Sequence, residues 1–137
     1  MRKMMVLAAG LLTAGAWASA FAAQETYKAT LNGASEVPPV QSSATGAATV
    51  NVDTASKKVS WSVTYTGLTA AAAHIHCGAA AGANAGVAVP LTVGPSPIAG
   101  TGTMTDAQLA DLQAGKCYVN IHTAANKGGE IRGQLAK

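Results

Sequence analysis

Three histidines could together bind one metal ion. Only Ile75 separates His74 from His76, and His122 follows much further along the chain. Alternate side chains of a β-strand point to the same face, so the imidazoles of His74 and His76 would lie about 6.6 Å apart and could share an ion. Three neutral imidazoles suit copper or zinc, whereas calcium and magnesium prefer oxygen ligands. The pattern predicts a site for one copper or zinc ion, formed by His74, His76 and His122.

The residues around these histidines predict which way they point. Apolar side chains alternate with the histidines in both segments, and we expect this apolar set to face the core: Ala73, Ile75, Cys77, Cys117, Val119 and Ile121. The histidines would then form an exposed site outside the core, where their replacement should leave the fold intact. The spacing leaves open the alternative that they are polar surface residues without a metal.

The first 22 residues have the pattern of a cleaved signal peptide. Arg2 and Lys3 form a basic start, residues 4–17 are uncharged and mostly apolar, and Ala20-Phe21-Ala22 matches a signal peptidase site. The apolar run is shorter than the roughly 20 residues that span a bilayer. We predict cleavage after Ala22, export to the periplasm or the medium, and one mature domain over residues 23–137.

The two cysteines are predicted to pair if the protein is exported. An even number of cysteines in an oxidising compartment favours a disulfide. Cys77 and Cys117 also share the inward orientation expected from the alternation. A Cys77–Cys117 disulfide is therefore predicted, with two free thiols as the alternative.

Composition argues against a nucleic-acid partner and against disorder. The chain has nine Lys and Arg against six Asp and Glu, but Arg2 and Lys3 belong to the predicted signal peptide. The remaining net charge is about +1, with no basic run that could follow a phosphate backbone. Charged residues make up only 11% of the chain, which is atypical of disordered segments.

Alternation of apolar and polar residues predicts an all-β fold. Short alternating or apolar segments, separated by glycine and proline turns, are expected near residues 27–31, 50–52, 59–65, 73–77, 87–91, 98–104, 117–123 and 130–135. About eight such strands indicate an antiparallel Greek-key sandwich or barrel. One short connecting helix is predicted at Asp106–Gln113, where Thr105 and Gln108 fit a capping box and Gly115 suits the C-terminal end.

Two further features have structural interpretations. Glu130 and Arg132 would lie on one face of the last strand, as a surface ion pair or as loop anchors. Residues 37–40 (VPPV) predict a rigid loop after the first strand, with partner recognition as the alternative. No nucleophile elbow, P-loop or dinucleotide-binding motif is present, so no catalytic residues are predicted.

Four blocks of this sequence, taken in order, resemble the CHRD (chordin) domain. They are residues 31–40 (LNGASEVPPV), 73–76 (AHIH), 115–123 (GKCYVNIHT) and 129–134 (GEIRGQ). The resemblance extends from Tyr27 to Leu135, nearly the whole predicted mature chain. It implies an immunoglobulin-like or superoxide-dismutase-like barrel, and it specifies the fold more firmly than the function.

The histidine pattern is also similar, more distantly, to that of the copper/zinc superoxide dismutases. Those enzymes carry an H-x-H pair on one barrel strand and a further copper histidine on a late strand. This resemblance implies that His74, His76 and His122 are copper ligands. The chain has no further histidine to bridge a second metal, so the resemblance implies a single copper ion, and dismutase activity does not follow from it.

We therefore expect an exported protein that holds one copper ion for storage, delivery or tolerance. One alternative is a non-catalytic interaction or structural module of the cell envelope that binds no metal. A second alternative is a copper redox enzyme in which the ion keeps an open coordination position.

Overall fold

The protein is an all-β structure with one short α-helix, as the alternation predicted. The computed structural model describes residues 23–137 together with Gly10 and Gly15, so the predicted signal peptide lies outside the described residues. The elements in chain order are β1 (Gln24–Asn32), β2 (Thr45–Asp53), β3 (Lys58–Thr66), β4 (Ala72–Cys77), β5 (Val87–Leu91), β6 (Ile98–Thr103), α1 (Asp106–Gln113), β7 (Cys117–His122) and β8 (Ile131–Gln134). Among the described residues, no helix combines the length and the apolar character that a membrane span requires.

All eight strands belong to one antiparallel sheet that curls into a nearly closed barrel. The strand order is β5-β4-β7-β8-β1-β2-β3-β6, and the end strands β5 and β6 come to lie beside each other. Several neighbours in the sheet are far apart in the chain, as in Greek-key folds. Strand β7 pairs with β4 on one side and with β8 on the other. The pairing with β4 matters most for the site, because it brings His122 next to the strand that carries His74 and His76.

The barrel interior is filled by the apolar half of each alternating strand. Strand β3 shows the pattern most clearly, since Val59, Trp61 and Val63 are buried while Ser62 and Thr64 are exposed. The Trp61 ring fits inside because Gly100 and Gly102 of β6 lie against it without side chains. The glycines of β6 therefore make room for the largest side chain of the core.

Replacing Gly100 with alanine should destabilise the fold by about 1–3 kcal/mol, the usual cost of overpacking a well-filled core. The new Cβ would lie 2.8 Å from Cζ2 of Trp61, which is too close for a carbon contact. Gly94→Ala is the matched control, because no atom lies within 4 Å of the Cβ that it would add. Urea unfolding should separate the two variants, and equal midpoints would contradict this account of β6.

Helix α1 connects β6 to β7 and has the predicted capping box. The Thr105 hydroxyl accepts a hydrogen bond from the Gln108 N–H at 3.1 Å, and the Gln108 side chain accepts one from the Thr105 N–H at 2.9 Å. Leu109 and Leu112 face the core, and Gly115 follows the helix with a φ of +75°, a conformation that favours glycine. Strand β7 begins shortly after the helix, at Cys117.

Cys77 and Cys117 form the predicted disulfide. They face each other in the β4–β7 ladder, and both pack against the core as the alternation predicted. The disulfide ties together the two strands that carry the histidines.

Candidate metal centre

The three histidines lie together on the outer side of the barrel, across strands β4 and β7. The antiparallel register sets His74 opposite Asn120, His76 opposite Tyr118, and Ala72 opposite His122, so His122 is diagonal to His74. Nδ1 of His74 is 3.0 Å from Nε2 of His122. The alternation therefore predicted correctly that these side chains share one side.

The separation of the ring nitrogens suits a shared ion. One ring nitrogen from each of His74, His76 and His122 lies within 4.8 Å of the other two. Two nitrogens bound to one ion at about 2.0–2.1 Å can be at most about 4.2 Å apart. The group is therefore compatible with one ion shared by the three imidazoles, provided that small side-chain rotations shorten the longest separation.

Buried polar side chains surround the histidines. The buried polar or charged residues of the described part of the chain all lie on or beside this face: Glu36, His76, Asn120, Thr123 and Arg132. Burying a polar group costs free energy unless it is hydrogen-bonded. This concentration of buried polarity distinguishes the face from the rest of the barrel and marks it as the candidate functional site.

The expectation that the whole histidine site is exposed is wrong for His76, which is only 8% exposed. Its Nδ1 lies 2.9 Å from the Ala85 carbonyl, its Nε2 lies 3.0 Å from Oδ1 of Asn120, and its ring stacks on Tyr118 at a centroid distance of 4.8 Å. The cover is the loop of residues 78–86, which folds back over the outer face. Strand alternation does not determine the path of a loop, so the sequence did not predict this cover.

The interpretation of Glu130 and Arg132 as a surface ion pair is wrong, and both are loop anchors. Arg132 is 2% exposed, and its guanidinium donates to the Ala83 carbonyl at 2.6 Å and to Oδ1 of Asn84 at 3.0 Å. The carboxylate of Glu130 accepts hydrogen bonds from three side chains at 2.8–3.1 Å, namely Ser42, Thr123 and Asn126.

The predicted loop at residues 37–40 is also present and takes part in this arrangement. It follows the 3-10 turn Gly33–Ser35, and the Val37 carbonyl accepts a hydrogen bond from Nδ2 of Asn84 at 3.0 Å. The loop after β1 and the 78–86 loop are thus joined over the polar face.

Burial favours neutral imidazoles in this site. It lowers the pKa of His74, and the neighbouring His122 and His76 lower it further. Burial also lowers the pKa of His76, although hydrogen bonds to Ala85 and Asn120 oppose the shift. Because only a neutral imidazole can bind a metal, both side chains are available as ligands at neutral pH.

The sequence reasoning assigned no role to several residues that complete the site. Tyr118 and Asn120 alternate with Val119 and Ile121 in the same way as His122, so the pattern places them on the face of the histidines. Glu36 could not be found in this way, because it reaches the face from a loop. Burial raises the pKa of its carboxyl group, and the nearby Arg132 opposes that shift.

Comparison with known proteins gives one family. A family model described as CHRD domain matches residues 27–135, which include all the strands that carry the site and the loops that cover it. No curated protein matches the chain. No solved structure matches it either, so the likeness to the superoxide dismutases remains a prediction from the sequence.

Proposed function

The chain belongs to the CHRD domain family, and from the geometry of its polar face we propose that it is an exported protein that binds one copper ion. The ligands are His74, His76 and His122, and the role is copper storage, delivery or tolerance. The observation that carries the proposal is the convergence of three imidazole nitrogens within 4.8 Å.

The chemistry of the donor set favours copper over other ions. The group consists of imidazoles alone, without a carboxylate or a thiolate, and both cysteines are bonded to each other. Hard cations such as calcium and magnesium prefer oxygen ligands. Nitrogen sites generally bind copper(II) more tightly than zinc, so copper is the first choice and zinc the second.

The proposed export has two supports. Residues 1–22 have the sequence of a signal peptide, and the Cys77–Cys117 disulfide suits an oxidising compartment. An exported metal-binding protein would meet copper outside the cytoplasm, where storage, delivery and tolerance are all useful.

Calorimetric titration of the metal-free protein with Cu(I), Cu(II) and Zn(II) tests the proposal. We expect one ion per chain, with copper bound more tightly than zinc. Absence of binding for both copper ions at micromolar concentrations would contradict the proposed function.

Copper affinity should fall steeply as the pH drops below about 6. The pKa values of His74 and His76 lie below the usual value of about 6.5, so protons compete with the metal only at lower pH. Each protonated imidazole must lose its proton before it binds, and the loss of affinity becomes steeper as more ligands protonate. Copper competition assays between pH 4.5 and 7.5 measure this profile, and a decline that begins well above pH 6.5 would contradict the assigned ligands.

A further inference from the structure

Two charged side chains, one just before strand β8 and one within it, each hold a different loop. Glu130 precedes the strand and Arg132 is its second residue, so both project to the outer side of the barrel. Neither belongs to the candidate metal-binding group, which consists of the three histidines. Each loop that they hold nevertheless supplies a backbone carbonyl to one of those histidines.

Arg132 holds two groups that contact His76, the loop segment 83–85 and the Tyr118 ring. Its guanidinium binds Ala83 and Asn84, and the next residue, Ala85, presents its carbonyl 2.9 Å from Nδ1 of His76. Its Cζ also lies 3.4 Å from the centre of the Tyr118 ring, and that ring stacks on His76 with only 8° between the planes. The Tyr118 hydroxyl accepts from the Ala85 N–H at 3.1 Å and so holds the same loop residue.

Glu130 holds the turn whose backbone contacts His122. Its carboxylate accepts hydrogen bonds from Thr123 and Asn126, at the start of the turn that joins β7 to β8. Within that turn, the Lys127 carbonyl lies 2.8 Å from Nδ1 of His122. The Asn126 carbonyl accepts from the N–H groups of Thr123 and Gly129, which closes the turn on itself.

We propose that Arg132 and Glu130 are positioning residues that determine which ring nitrogen of His76 and of His122 carries the proton. A carbonyl oxygen can only accept, so the nitrogen facing it must be protonated. In the neutral ring the lone pair is then on Nε2. Arg132 and Glu130 hold the two carbonyls in place and thereby present Nε2 of both rings to the ion.

The surroundings of both Nε2 atoms are compatible with this assignment. Nε2 of His122 lies 3.0 Å from Nδ1 of His74, so it can accept a hydrogen bond from that N–H in the metal-free protein. Nε2 of His76 lies 3.0 Å from Oδ1 of Asn120, whose NH₂ group is on the side of Glu36. If the amide is turned over, its NH₂ group faces Nε2 of His76 and its oxygen faces the Glu36 carboxyl group, which can donate to that oxygen when it is protonated. Burial raises the pKa of Glu36 and so favours this protonated form. A metal ion would replace these donors.

The consequence for metal affinity rests on the proposed function, whereas the proton positions do not. Partners that orient a metal-binding histidine typically change affinity by about 10–100-fold when they are lost. We expect that range for Arg132→Met and for Glu130→Ala. Gln134→Ala is the matched control, since this side chain follows Arg132 on the same face of β8 but binds the Gly115 carbonyl, away from the histidines.

Nitrogen-15 NMR of the imidazoles in metal-free full-length protein tests the proposal directly. In the wild type, Nδ1 of His76 and His122 should be protonated and Nε2 should not. Arg132→Met should alter the signals of His76 alone, and Glu130→Ala those of His122 alone. Gln134→Ala should alter neither ring.

Milder variants keep the test valid if a buried substitution prevents folding. Asn84→Ala removes one contact of Arg132, and Asn126→Ala removes one contact of Glu130. They should produce the same selective changes to a smaller extent. Protonation of Nε2 in the wild type, or unchanged signals in folded Arg132 and Glu130 variants, would overturn the proposal. Because the proton positions are read without metal, a failure of copper binding would contradict only the proposed function.

Discussion

Replacing His122 with alanine should lower copper affinity by at least about 100-fold, more than the 10–100-fold that is typical when only a partner of a ligand is lost. The substitution removes one of three converging nitrogens and leaves an ion with two imidazoles. His122 is only half-buried, so the fold should survive the change. Calorimetric titration with Cu(I) and Cu(II) measures the loss.

The matched control for this variant is Ser62→Ala, because Ser62 is an exposed polar residue on the outer face of β3. It should bind copper as the wild type does. If His122→Ala also bound copper with wild-type affinity, the three histidines would not form a shared site.

His76→Ala should differ from His122→Ala in its effect on stability. Both lose copper affinity, but His76 is buried, and its removal takes away the partner of Oδ1 of the buried Asn120. It also leaves the Ala85 carbonyl with only the longer, 3.4 Å hydrogen bond from the Tyr118 hydroxyl. An unsatisfied buried polar group costs about 1–3 kcal/mol. Urea unfolding of the metal-free variants should therefore show a clear loss for His76→Ala, and equal stability of the two variants would contradict the described burial.

Removing the disulfide should have the largest effect on stability. The Cys77–Cys117 bond closes a loop with a sequence separation of 40. Such a link typically contributes about 2–4 kcal/mol, mainly by restricting the unfolded chain. The double variant Cys77→Ala, Cys117→Ala should therefore unfold at clearly lower urea concentration, and alanine avoids placing a hydroxyl at the fully buried Cys117 position.

Comparison with reduced wild-type protein provides the control, because both samples lack the covalent link. Both should lose a similar amount of stability. At saturating copper the double variant should still bind one ion, since the β4–β7 ladder holds the histidine strands together independently of the disulfide. Unchanged stability of the double variant would contradict the stabilising role of this link.

The strands and the histidine cluster could be predicted because alternation is a local property. The residues of β4 and β7 alternate strictly, so the side of the barrel that each side chain occupies follows from its position. The capping box of α1 is equally local, since Thr105 and Gln108 are three residues apart. These features needed no knowledge of the sheet order.

The cover of the site depends on contacts between distant parts of the chain. The 78–86 loop is rich in alanine and glycine, and its path is determined by Arg132, Tyr118 and His76. Arg132 is buried only because this loop and the Tyr118 ring enclose it. Sequence spacing identified Arg132 as a residue on the outer face, but only the tertiary structure shows that it anchors the loop.

The measurement that tests the central claim most directly is anomalous X-ray diffraction at the copper edge from crystals of the copper-loaded protein. We predict one copper peak per chain, located between the ring nitrogens of His74, His76 and His122. A peak bound elsewhere on the barrel, or no peak in crystals grown with equimolar copper, would contradict the assignment of this face as a copper site.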